Sequence, residues 1–469
     1  MTPTSRRKRV RVLAPIAVLS LLAACGGGGG GGGASDGGAG GGGGGGSDDL
    51  AAVKTEALKG TKLRLARFFG DCEDTTKGVT DVAKATNECE TIQILTNAFN
   101  AENGKGIEVT RLGGAEWNTY YDTLNAAYAG GNPPDVAVMH GSSITNYARR
   151  NLLFPLDEAL KITKTDLDDA APAARKAVTY QDKTFALPFD LHAGLVHLNV
   201  DLFKKAGLVD AGGKPTMPTS TEEFLAHAEQ MKAKTGKNYF GTARVKDGLG
   251  VHMWRSLIEQ QGGSVLNEDR TKATVDTPEA REALTFMDKV FAKYANPAQT
   301  YDAAQSAFLS GQTAMLFNGT WVVDQYDKEA RFTYQTADFP TLYEKPAIWA
   351  DSHTWVIPRQ KKADPAKYRA ALEFVNYLYD HSGDWAIHTG HLAARNSVLE
   401  SPEYEKAPQR SNYVATGTTN ANLVPSITNW QAVQDTLVKQ IDSIWFQDAP
   451  VDKALTEADR QVNSVLAQK

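Results

Sequence analysis

The sequence predicts an α/β fold built on a parallel sheet, and three observations carry that prediction. Lys62 to Phe69 alternates polar with apolar residues and then turns apolar, which fits a first strand. Ile92, Leu95 and Phe99 recur at helical spacing and stop near Asn103-Gly104, marking a helix after that strand. The pattern then repeats, with a strand over Gly106 to Leu112, a helix over Trp117 to Tyr128, and a strand over Asp135 to Met139 after the breaker Gly130-Gly131-Asn132-Pro133-Pro134. Strands alternating with helices at this spacing build βαβ units.

Upstream of the first strand the chain reads as an export signal. Arg6, Arg7, Lys8, Arg9 and Arg11 precede the apolar run Val12 to Ala24, which is too short to span a bilayer as a helix. The run ends in Leu22-Ala23-Ala24-Cys25, which resembles a bacterial lipobox with Cys25 as the lipidated first residue. The leader is therefore expected over 1–24. Residues 25–49 follow as a lipidated Cys and Gly-rich tether, because a run that is nearly all Gly buries no apolar area. As a random coil of some 20 residues it would hold the globular part about 25 Å from its anchor.

Composition narrows the partners. The 469 residues suffice for two or three domains, and 42% hydrophobic with 22% charged residues suits a soluble globular protein. Once the five basic leader residues are removed, 45 Lys and Arg face 55 Asp and Glu, a formal charge of −10. That balance argues against nucleic acid as a partner. Beyond Cys25 the chain has only Cys72 and Cys89, an even pair that is expected to form a disulfide in an exported protein.

Further along, Ala303, Ala304, Ala307 and Phe308 give a short helix closing at Gly311. Thr313 to Phe317 suits a buried strand, and Asn318-Gly319-Thr320 offers a cap to a helix with Val322, Val323 and Tyr326 on its inner face. A strand feeding a helix N-terminus aims free N–H groups at a crevice, where α/β proteins bind ligands. Pro218 to Phe224 starts another helix with Thr219 or Ser220 at its N-cap. Enzyme signals are thin: there is no Gly-x-Ser-x-Gly elbow, no His-Glu-x-x-His and no Walker lysine motif. His388 and His391 are expected as exposed residues of a turn, since Gly390 between them speaks against a helix.

The segment Phe308 to Val323, with its Gly311-Gln312-Thr313-Ala314-Met315 and Gly319-Thr320-Trp321, resembles the signature of family 1 extracellular solute-binding proteins, the maltose-binding-protein group. Four other stretches follow that family's order: Ala129 to Val136, Phe185 to Leu208, Ala347 to Pro358, and Gly390 to Val398. The chain departs from the pattern at His197, where an aromatic is usual, and at Ala393, where proline is usual. The resemblance spans Lys62 to about Leu466. It implies the type II two-lobed periplasmic-binding-protein fold with crossing hinge segments. Residues 50–190 and 351–400 would form the N-terminal lobe, and 191–350 and 401–469, with the helices Trp430 to Trp445 and Val451 to Leu466, the C-terminal lobe.

A sugar-binding cleft needs flat aromatic faces with carboxylate, amide and guanidinium partners around them. By position the candidates are Asp71 after the first strand, Trp117 at the head of the second helix, and His140 after the third strand. Asp190 and His192 lie at the first crossing, Asp351 and Trp355 at the second, and Arg395 in the Gly390 loop. Trp254 lies in the second lobe, Asn318, Gly319 and Trp321 in the signature segment, and Trp430 at the head of the last helices. The resemblance strengthens Trp321 and Trp430 most.

The expected function is that of a lipid-anchored substrate-binding lipoprotein of an ABC importer, delivering a sugar or oligosaccharide to permease transmembrane subunits. It is expected to be a monomer and not an enzyme, with no cofactor and no metal, the last because no His-rich loop stands out. The rivals are a secreted carbohydrate-active enzyme and a receptor for another solute such as a glycerol phosphodiester.

Overall fold

The computed structural model describes residues 50–468 apart from 115–116, 246 and 298–299. The leader, Cys25 and the glycine tether lie outside the described residues. Among the described residues no helix is long and apolar enough to cross a membrane.

The βαβ reading holds for the first sheet. β1 (Lys62–Ala66), β2 (Glu108–Arg111) and β3 (Val136–His140) are parallel, with β1 between the other two. The helix Glu88–Glu102 joins β1 to β2, its N-terminus capped by Asn87, whose side chain accepts from Glu90 N at 3.0 Å. The helix Tyr120–Ala129 joins β2 to β3, and the helix Gly141–Arg149 follows β3 at once. A small hairpin, β4 (Thr179–Tyr180) and β5 (Lys183–Thr184), precedes β6 (Ala186–Pro188) and the long β7 (Asp190–Asn199).

The second sheet is centred on β7. It adds β8 (Asn238–Gly241), β9 (Thr313–Gly319), β10 (Tyr334–Ala337) and β11 (Ile348–Asp351). β12 (His353–Val356) returns to the first sheet, whereas β13 (Leu392–Ala393) and β14 (Ala421–Leu423) belong to the second. The orders are β2-β1-β3-β12-β6 and β14-β11-β7-β9-β8, with β10 and β13 also pairing β7. In the signature segment the helix closes at Leu309 and β9 begins at Thr313, much as expected. Asn318 does not cap the next helix: β9 runs on through Gly319, and the side chain turns back to accept from Gly319 N at 2.8 Å.

Each sheet has its own core. Leu65, Val136, Val138 and Phe374 belong to the first, and Leu195, Phe240, Phe317 and Leu437 to the second. The helix Pro365–Asp380 covers the first core, and the pair Trp430–Gln447 and Val451–Leu466 packs onto the second. The links between the two are very short. Only Phe189 separates β6 from β7, and only Ser352 separates β11 from β12. A third pass runs from the helix Ser382–Thr389, whose Trp385 lies in the first core, to β13, which pairs Leu392 with Leu191. Gly390 makes that turn at φ +106°, with Thr320 O only 2.4 Å from where a Cβ would stand, so no other residue fits.

Cys72 and Cys89 form the expected disulfide. It fastens the loop after β1 to the first turn of the helix Glu88–Glu102. Buried Arg67 braces the same loop, donating to Gly70 O at 2.8 Å, Glu73 Oε1 at 3.1 Å and Gln93 Oε1 at 2.9 Å. Replacing both cysteines by serine is expected to cost about 3 kcal/mol, the chain-entropy value for a loop of this size. A lower guanidinium midpoint would report it, and an unchanged midpoint would refute the role.

Candidate ligand-binding cleft

Strand register assembles the site. β12 pairs antiparallel with β3 so that His353 stands opposite His140, and β11 pairs with β7 so that Asp351 stands opposite His192. Asp190, the first residue of β7, lies fully buried between these passes. Its Oδ1 accepts from His353 N at 2.9 Å and His192 Nδ1 at 3.2 Å. Its Oδ2 accepts from Trp385 Nε1 at 2.7 Å and His353 Nδ1 at 2.8 Å. His391 reaches in from the third pass, with Nδ1 3.7 Å from Asp190 Oδ2 and Nε2 2.8 Å from Glu88 Oε1.

Burial opposes charge on Asp190, His140, His353 and His391. It brings the His353 imidazole down to about 3 and holds His140 well below the usual histidine range, so both rings are neutral at pH 7. Burial also opposes ionisation of Asp190, but the His353 and His391 rings and the N–H bonds from His192 and His353 hold its carboxyl well below the usual range. His391 moves the other way: burial works against its charge, yet Asp190 and Glu88 raise it.

Rings continue outward from this centre in both directions. On the first sheet's side, His140 stacks on Phe68 at 5.2 Å and 11°, and Trp117 lies 4.8 Å from His140 and 5.2 Å from Phe68. The Tyr121 hydroxyl sits 2.8 Å from His140 Nδ1 and also accepts from His140 N at 2.9 Å. On the second sheet's side, His192 lies 5.6 Å from Trp349 and 6.1 Å from Trp321, and His252 stacks on Trp349 at 3.9 Å and 12°. Trp321 is steadied by its Nε1, which donates to Tyr301 Oη at 2.7 Å. Gly319 lies under the Trp321 ring, where a Cβ would fall 1.9 Å from it, so the glycine is what lets the indole fold back over the strand. The two sides also touch at the rim, where Lys328 Nζ donates to Ala85 O at 3.1 Å and Asn146 Nδ2 to Thr428 O at 2.5 Å.

Of the residues expected in the site, the structure brings together Trp117, His140, Asp190, His192 and Trp321, with Gly319 beneath the last. Asn318 stands at the same corner but is spent on it, donating to Tyr326 Oη at 3.2 Å. Asp351 is spent on a helix N-terminus: its Oδ1 accepts from Ser142 N at 3.1 Å and Ser352 N at 2.8 Å, capping Gly141–Arg149 from across the crossing, while burial pushes its carboxyl up.

The others lie elsewhere. Trp254 is fully buried in the second core and donates to Ala280 O at 3.0 Å, and Trp355 is fully buried between Phe69 and Phe189, so neither offers a face to a ligand. Trp430, buried in the same cluster as Trp349, lies under the Arg255 guanidinium at 5.2 Å and makes no ring contact with the group around His192. Asp71 is an exposed partner of Arg111, and Arg395 is tied to Asp169 at 2.7 Å and to Asp380 O at 3.1 Å. Phe68, Tyr121, His252, Trp349, His353 and His391 complete the constellation and were not expected there. His391 is fully buried, not exposed on a turn, because Gly390 swings it inward. His192, His353 and His391 converge without a His-rich loop because each comes from a different pass.

A family model described as bacterial extracellular solute-binding protein matches residues 95–412, more than half of the chain. The chain belongs to that family. This solute-binding protein is 23% identical over 291 residues to the maltotriose-binding protein of Pyrococcus abyssi, a match spanning 61% of this chain and 60% of that relative. Its two-lobed fold is shared with the GacH receptor of Streptomyces glaucescens, solved free and with acarbose (21% identity, TM-score 0.74, 87% of this chain and 99% of that one). It is shared equally with UgpB of Mycobacterium tuberculosis, solved with glycerophosphocholine (19% identity, TM-score 0.71, 81% and 96%).

Two tryptophans of this solute-binding protein separate packing from display. Trp254→Ala is expected to lower unfolding stability by about 3–5 kcal/mol, as for a buried large-to-small change. Trp117, 53% exposed, is expected to lose less than about 1 kcal/mol on the same change. Denaturant melts of the two variants check this, and equal losses would count against the assignment.

Proposed function

We propose that this chain is the receptor of an ABC importer for a sugar or oligosaccharide, holding it in the cleft between the lobes and delivering it to permease transmembrane subunits. The observation that carries the reading is the continuous wall of rings, Trp117 and His140 from one sheet and Trp321 and Trp349 from the other, meeting at His192. A sugar ring presents C–H faces bounded by hydroxyls, so stacked rings bordered by imidazole and phenol groups match it. A relative named for maltotriose and a structural neighbour solved with acarbose support the same class.

The lobes are 50–190 with 351–400 and 191–350 with 401–469, with β13 lying on the second sheet. Closure would be a hinge motion about the three passes, stabilised by contacts that both lobes make to the ligand. The protein binds without turnover, acts as a monomer, and is held at the membrane through lipidated Cys25. The likeness to a receptor for glycerophosphocholine supplies a second arm for the ligand screen.

In a thermal-shift and calorimetric screen, an oligosaccharide is expected to bind and be recovered intact, stabilising by about 2.7 kcal/mol at 100 times its Kd. Trp321→Ala is expected to weaken it by about 5- to 150-fold, the loss of a stacking face worth about 1–3 kcal/mol by analogy with base stacking. Unchanged affinity would move the ligand off this wall, binding of glycerophosphocholine alone would favour the phosphodiester class, and steady product formation would favour an enzyme. Separately, Cys25→Ser is expected to release the protein into the soluble fraction, and a variant that stays with the membrane as wild type does would refute the anchor.

A further inference from the structure

We propose that Asp190, His192, His353 and His391 form a binding site for one transition-metal ion of the Zn²⁺ class. Each residue offers one donor atom, and the four atoms all lie within 4.8 Å of one another. His353 Nδ1 and His391 Nδ1 stand 2.8 and 3.7 Å from Asp190 Oδ2, and His192 Nδ1 stands 3.2 Å from Oδ1. To bind an ion there, His192 and His353 would carry their proton on Nε2 in place of the Nδ1–H that Asp190 otherwise accepts. Around a tetrahedral Zn²⁺ with ligand bonds of about 2.0–2.2 Å, neighbouring donors are about 3.3–3.6 Å apart. The two edges to Oδ2, 2.8 and 3.7 Å, therefore bracket the required length. The widest edge has to close by no more than about 1.5 Å to reach the same tetrahedral spacing.

The donor set selects the class of ion. Three imidazoles and one carboxylate suit Zn²⁺, Co²⁺, Ni²⁺ or Cu²⁺, whereas Ca²⁺ and Mg²⁺ take oxygen ligands. A supporting outer layer is also present. Glu88 Oε1 lies 2.8 Å from His391 Nε2, the carboxylate–histidine arrangement that orients a metal-binding ring. Trp385 Nε1 at 2.7 Å and His353 N at 2.9 Å do the same for Asp190. With its Nε2–H given to Glu88, a neutral His391 presents an Nδ1 lone pair to the Thr320 hydroxyl at 3.3 Å and, at 3.7 Å, to Asp190 Oδ2. A cation would take that lone pair in place of the hydroxyl. The competing occupant is a second proton on His391, which would make the group a salt-bridged clamp.

The position gives the ion a structural consequence. Asp190 and His192 come from the first pass between the sheets, His353 from the second and His391 from the third. One ion would tie all three passes together. His192 also faces Trp321 and Trp349, so the ion would sit against the ring-lined cleft. The inference stands apart from the sugar reading, and its test uses metal alone.

The whole chain, stripped with a chelator, is titrated with ZnCl₂ or CoCl₂ in the absence of any sugar. One equivalent is expected to bind, raising the melting midpoint, and the Co²⁺ form should show visible absorption from a four-coordinate nitrogen-rich site. Histidine-labelled protein should show metal-induced ¹⁵N shifts in three of its nine histidines. Glu88→Gln is expected to weaken binding by about 10- to 100-fold, and His192→Ala and His391→Gln by more. His227→Ala, on the outer helix Thr221–Thr235, should leave it unchanged. Wild-type protein that takes up no stoichiometric metal overturns the proposal, whatever the variants do. So does binding that survives both His192→Ala and His391→Gln, or that shifts other histidines.

Discussion

The middle of the molecule depends on one buried carboxylate. Taking an ionised Asp out of water costs several kcal/mol unless it is fully partnered. Asp190 is: it accepts four N–H bonds from Trp385, His192 and the backbone and ring of His353. Those donors arrive from all sides of the crossing, a helix on the first core, β7 itself, and the strand that returns to the first sheet. The carboxylate is satisfied only when the three passes lie side by side. Its partners in turn are the rings from which the aromatic wall extends, so the hinge and the cleft wall share one set of atoms.

Most of the fold was legible in the sequence because the alternation of β1 and the apolar runs of β3 and β9 stand out, and the breakers between elements are strong. β1, β2 and β3 with their helices, the Gly311 stop and the Ser220 cap all followed from local pattern. The site was legible only in part. Trp117 and Trp321 stand at helix openings, which was the signal that singled them out. Trp254 sits on a helix whose residues from Leu249 to Gln260 are all buried, and Trp355 on a strand buried on both faces, so periodicity has no outer side to report there. Tryptophan content alone could not tell a packing ring from a displayed one.

The histidines illustrate a different limit. Each taken singly is a modest signal, and those at 140, 192, 353 and 391 have no motif joining them. What unites them is register: His353 opposite His140, Asp351 opposite His192, and Leu392 opposite Leu191, which carries His391 into place. A one-residue slip in any of these ladders would turn the rings to the opposite face. Such pairings between distant segments are properties of the assembled sheet and leave no trace in a single stretch of chain.

The interleaving of the two sheets bears on when during synthesis the protein can fold. The first sheet lacks its fourth strand until residue 353 is available, and the second lacks β14 and its covering helices until residues beyond 421 are. Neither half can complete its sheet from an N-terminal fragment, and pairings of such high sequence separation form slowly. A nascent chain would therefore stay open through most of its synthesis. Folding would then begin near the Cys72–Cys89 loop, whose contacts are local, and end with the strand and helices that finish the second sheet.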